Sequence, residues 1–150
     1  MRRSIIVGAA VFMTLLMGST AAMAASPHFI NASAARSGDN LVVSWKEAGL
    51  GVSAIDYTAS ATATRVDSCV NNGQNIPADP KKTTSVADVA ATGTFNPKNG
   101  QVTASLTLSP PTSTLSCPKG QTATLISLSY TNVRITDDTN GIFKDIPGTF

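Results

Sequence analysis

From Pro27 to the end of the chain, apolar and polar residues alternate with period two, and no segment repeats apolar positions at the spacing of an amphipathic helix. The pattern predicts an all-β chain. It is clearest over 53–66, where Ile55, Tyr57, Ala59, Ala61 and Ala63 share one face and Asp56, Thr58, Ser60, Thr62 and Thr64 share the other. The same alternation puts Val102, Ala104, Leu106 and Leu108 on the inner face of a second strand, and Leu41, Val43 and Trp45 on that of a shorter one. Further strands are predicted over 29–35, 86–95, 122–135 and 142–146. In 122–135 the phase slips between Tyr130 and Val133, which predicts a bulge or bend.

Turn residues separate these strands. Segments 36–40, 96–100 and 137–141 each supply Gly, Asn or Asp at positions that tolerate φ > 0, the signature of a hairpin. Two longer segments, 71–82 and 110–120, hold most of the prolines and read as loops. About seven strands at this spacing predict an immunoglobulin-like two-sheet β-sandwich. Antibody-type topology is not expected, because Trp45 precedes both cysteines instead of lying between them.

Ahead of the alternating region stand Arg2 and Arg3, an apolar run over 5–17 and Ala22-Met23-Ala24, which together read as a secretory signal cleaved after Ala24, with Ala25 the second choice. The apolar run falls short of the ~20 residues of a membrane span, and no comparable stretch follows. The expected organisation is a signal peptide over 1–24 and one domain over 25–150, secreted to the extracellular space or cell surface, with no transmembrane segment. About 125 residues suffice for a hydrophobic core.

Export changes the reading of the cysteines. An even pair meeting an oxidising compartment predicts a Cys69–Cys117 disulfide, which would close a loop of about 50 residues. Strand direction agrees with it. If 53–69 runs from one end of the sandwich, X, to the other, Y, then 86–95 returns to X, 102–108 goes back to Y, and Cys117 arrives beside Cys69. Loops 71–82 and 110–120 and the turn at 36–40 then share end Y. Segment 46–51 and the turns at 96–100 and 137–141 share end X.

Composition narrows the function classes. Without Arg2 and Arg3, the 11 Lys and Arg become 9 against 9 Asp and Glu, so the exported chain is near neutral and carries no signature of nucleic-acid binding. A charged fraction of 13% is about half the usual ~25%. Ser, Thr and Ala fill the difference, as suits a hydroxyl-covered extracellular surface.

The means for catalysis are few: one histidine, His28, and one glutamate, Glu47, with no nucleophile elbow around any serine. No catalytic residue, cofactor or metal is assigned. Asp137 and Asp138 offer a loose calcium alternative, but Thr136 replaces the first acid of an EF-hand-like loop, and a hairpin turn accounts for the same residues. Trp45 reads first as a core anchor, and it is the candidate exposed aromatic for a glycan if its side chain lies outward where the strand opens into 46–51. At end Y, Asn71, Asn72, Gln74, Asn75 and Asp79 could hydrogen-bond a polar ligand, and Thr112, Ser113, Thr114 and Leu115 form a disulfide-braced segment beside them.

Trp45-Lys46-Glu47-Ala48-Gly49-Leu50-Gly51, Ser116-Cys117-Pro118-Lys119-Gly120-Gln121, Ser127-Leu128-Ser129-Tyr130-Thr131-Asn132-Val133 and Pro147-Gly148-Thr149-Phe150 resemble stretches of small exported bacterial β-sandwich proteins of uncharacterised function. The resemblance spans most of the exported chain and transfers no activity. The expectation is a secreted noncatalytic binding or surface-associated module, whose partner is a cell-wall or extracellular polysaccharide or a protein. A self-associating structural subunit is the alternative, and a small enzyme or protease inhibitor comes third.

Overall fold

The computed structural model describes residues 26–150, so the export signal expected over 1–24 lies outside the described residues. Seven strands follow in order: β1 (His28–Ser37), β2 (Asn40–Ala48), β3 (Ile55–Asn71), β4 (Lys82–Phe95), β5 (Gln101–Leu108), β6 (Gln121–Asp137) and β7 (Ile142–Ile146). All pairings are antiparallel, and they build a sheet of order β1-β2-β5 and a second of order β4-β3-β6-β7. This is an all-β sandwich of the expected class. Because β4 pairs with β3 and does not join β1, β2 and β5, antibody constant-domain topology is excluded. No helix among the described residues is long and apolar enough to cross a membrane.

The core follows from strand phase. Leu41, Val43 and Trp45 of β2, Ile55, Tyr57 and the alanines of β3, and Tyr130, Val133 and Ile135 of β6 are buried together between the sheets. Each large apolar side chain so buried contributes about 1.5–3 kcal/mol. Trp45, Tyr57 and Phe95 form the aromatic centre, with ring centroids 4.9 Å (Trp45 to Tyr57), 5.5 Å (Trp45 to Phe95) and 5.9 Å (Tyr57 to Phe95) apart. Gly93 makes room for it, since a Cβ there would lie 2.9 Å from the Phe95 ring and 3.1 Å from Leu106.

The phase slip in β6 is a bulge. Ser60 pairs with Arg134 and Thr62 with Thr131, leaving one extra residue on β6, and Asn132 takes φ 52°. That insertion lets Tyr130 and Val133 both face the core despite their odd spacing. The C-terminal Phe150 exchanges backbone hydrogen bonds of 2.9 and 3.0 Å with Tyr130.

The two sheets differ in length, and this shapes end Y. The β1–β2 turn meets β6 at Tyr130, whose hydroxyl donates to the Asp39 carbonyl at 2.6 Å, while Arg36 Nη1 donates to the Leu128 carbonyl at 2.8 Å. Beyond that level β3, β4 and β6 continue without an opposing sheet. The inner face of this overhang carries Arg65, Asp67 and Cys69. Segment 109–118 covers it in place of a strand: Arg65 Nη1 donates to the Pro111 carbonyl at 3.1 Å, and Cys69 is bonded to Cys117 with a Cα separation of 5.6 Å.

Candidate functional site

End Y gathers the loops as the chain direction predicts. Cys69 N donates to the Lys81 carbonyl at 2.9 Å, Lys81 Nζ donates to the Ser116 carbonyl at 2.9 Å, and the disulfide joins the strand before one loop to the segment of the other. The two loop bases are therefore cross-braced twice. Within the first loop, Gln74 N donates to the Asn71 carbonyl at 2.7 Å and Asn71 N to the Asn75 carbonyl at 3.0 Å, with Gln74 at φ 60°. This tight fold leaves Asn71, Asn72, Gln74, Asn75 and Asp79 exposed. Beside them, Val70, Gln74, Ile76, Thr124 and Ile126 line an open cleft of about 250 Å³.

The second loop has a structural duty that sequence reasoning missed. Arg65 grips Asp67 through two hydrogen bonds, 2.7 Å from Nε and 2.9 Å from Nη2, and the Asp67 side chain is 1% exposed. The guanidinium holds the Asp67 carboxyl below the usual carboxylate range, with Ser113 adding to the effect, and Arg65 is raised in turn by Asp67. Segment 110–116 lies over this pair. Thr112, Ser113 and Thr114 are exposed on it, while Leu115 is half-buried and its amide donates to Ser113 Oγ at 3.3 Å.

Trp45 does not serve as the exposed aromatic. It is 2% exposed, because it lies on β2 in phase with Leu41 and Val43 and stacks on Tyr57 and Phe95. A glycan platform at end X on this residue is excluded.

The same phase carries Glu47 into the interior, since β2 runs to Ala48 and 46–48 are strand, not loop. Glu47, Tyr57 and Asp137 are each fully buried and converge from β2, β3 and β6. Burial pushes the Glu47 carboxyl up to about 7; the Tyr57 hydroxyl opposes the shift, and the Asp137 charge adds to it. Burial, then Glu47, raises the Tyr57 phenol as well. No hydrogen bond of good geometry closes on either Glu47 oxygen, on Tyr57 Oη or on Trp45 Nε1. Asp137, by contrast, is occupied: Oδ1 accepts from Asn140 N at 2.8 Å and Oδ2 from Asn140 Nδ2 at 2.6 Å.

A protonated Glu47 can donate to Asp137 and accept from Tyr57, which gives buried polar groups the partners they need. The cluster is sealed from solvent, so no substrate reaches it in this conformation.

The two aspartates of the loose calcium alternative do not converge. Asp137 is buried in the hairpin, whereas Asp138 is exposed and accepts from Thr58 Oγ1 at 2.7 Å, so the two carboxylates face opposite sides of the sheet. Among the described residues, no group of three or more His, Cys, Asp and Glu is arranged to hold a metal ion. His28 stands at the exposed start of β1, with Nδ1 2.8 Å from the Ser26 carbonyl. No protein family, curated protein or solved structure matches the chain.

Proposed function

We propose that this chain is an exported, noncatalytic binding module that contacts its partner through end Y. The observation that carries the reading is the double bracing of loops 72–81 and 109–120, by the Cys69–Cys117 bond and by Lys81 on the Ser116 carbonyl, beneath exposed side-chain amides and hydroxyls. Ordering a loop on binding costs conformational entropy, and loops fixed beforehand avoid that cost. Asn71, Asn72, Gln74 and Asn75 each present both a donor and an acceptor without net charge. Such groups suit the hydroxyls of a cell-wall or extracellular polysaccharide. Two features support a role without catalysis: the histidine is engaged by a backbone carbonyl at the N-terminal edge, and the paired carboxylates are closed to solvent.

The test is co-sedimentation of the oxidised chain from Ala25 with insoluble polysaccharides and with the producer's cell walls. Saturable binding that is lost in Asn72→Ala/Asn75→Ala/Asp79→Ala, with the fold intact, supports the reading. Equal binding by this variant, or binding to none of these surfaces, removes it.

A further inference from the structure

We propose that two copies of the chain associate by antiparallel pairing of β4 with β4, in the register that places Ser85 opposite Ser85 of the second copy. β4 is the terminal strand of its sheet and, at Lys82–Phe95, much longer than the strands at the other edges. Among the described residues, no backbone group of 82–95 makes a hydrogen bond outside the ladder with β3. A terminal strand presents a row of unpaired amides and carbonyls, and natural proteins blunt such edges with lysines, prolines, bulges or short length. The other edges of this molecule are so treated. β1 carries a bulge between Phe29 and Asn31, β7 is only five residues long, and β5 is eight. β4 is regular throughout, with an unbroken register against β3 and no proline.

Charge selects the register. Lys82 and Asp88 are the only charged residues of β4, and both lie on the exposed outer face with Thr84 and Val86, which is 64% exposed. A two-fold axis through Asp88 would set like charges directly opposite each other, which is destabilising. An axis through Ser85 sets Lys82 against Asp88 of the other copy at both ends of the paired segment and covers Val86 with Thr84. On the inner face the same axis sets Thr83 against Ala87. A contact that is the same on both partners closes after two copies, so it yields a dimer and not a filament. Pairing over 82–88 buries little area, and the dimer therefore dissociates on dilution.

The experiment is sedimentation velocity of the oxidised chain across a concentration series, together with air oxidation of two single-cysteine additions. Ser85→Cys sits on the axis and is expected to give a disulfide-linked dimer. Ala87→Cys faces Thr83 of the partner and is expected to stay monomeric on a denaturing gel. Lys82→Asp and Asp88→Lys alone should each weaken association about tenfold or more, since each turns two attractive pairs repulsive, and the double exchange should restore it. A monomer at every concentration, equal cross-linking at positions 85 and 87, or failure of the double exchange to recover dimer would each overturn the proposal.

Discussion

Glu47 of β2 and Asp137 of β6 place two fully buried carboxyl groups against each other across the gap between the sheets. Two such groups cannot both ionise in a dry interior at low cost, and of the two it is Asp137 that already accepts two hydrogen bonds from Asn140, whereas burial raises Glu47. Glu47 therefore holds the proton, and its protonation state joins the two sheets or pushes them apart.

The first expected outcome is a stability that depends on pH in an unusual direction. Glu47 is raised from 4.5 to about 7, so the folded state binds its proton more tightly than the unfolded state does. Its contribution is fully present below pH 4.5, is lost as pH rises towards about 7, and stays lost above. The loss amounts to roughly 3 kcal/mol. Urea unfolding at pH 5 and pH 8 measures it. Glu47→Gln, which keeps a donor for Asp137 at every pH, should flatten the difference.

Asp67 works in the opposite sense. Arg65 holds its carboxyl below the usual carboxylate range, so the pair stabilises the fold at and above that range and the stabilisation fades as pH falls through it. Asp67→Asn at neutral pH should cost about 3 kcal/mol, because it leaves Arg65 without its charge partner under segment 110–116. Amide hydrogen exchange in that segment should quicken in the variant, and a variant as protected as the parent would refute its role as a pinned cover.

Removing the cross-link has a calculable effect. Cys69→Ala/Cys117→Ala opens a loop whose ends are 48 residues apart in sequence. Chain entropy alone puts the loss at about 4 kcal/mol. The urea midpoint of the double variant measures it, and an unchanged midpoint would show that the loops are held without the bond.

Trp45 gives a direct optical check, as the chain has one tryptophan. At 2% exposure its emission should be blue-shifted and shielded from acrylamide, and Trp45→Ala should cost about 3–5 kcal/mol. Emission typical of exposed indole would contradict the packing of β2 on β3.

Strand phase made most of the sandwich legible. The alternation of Ile55 to Ala63, of Leu41 to Trp45 and of Val102 to Leu108 located their faces, and the slip after Tyr130 located the bulge at Asn132. The ends of β3 and β4 were less legible: β4 begins at Lys82, not 86, and β3 runs on to Asn71. Past Ala63 the inner face meets a loop, not a second sheet, so polar Arg65 and Asp67 replace the apolar signal that marks a strand. The meeting of Glu47 with Asp137 was hidden for a different reason. Inward phase can be read from one strand, but which residue it faces depends on how β2 and β6 stack.

The most direct test of end Y is a chemical-shift map of the oxidised chain, titrated with soluble fragments of whichever polysaccharide sediments it. The perturbed amides are expected to cluster over 71–79 and 112–115, with little change at 96–100. Perturbations centred on 96–100 or 137–141, or none at saturating fragment, would contradict it.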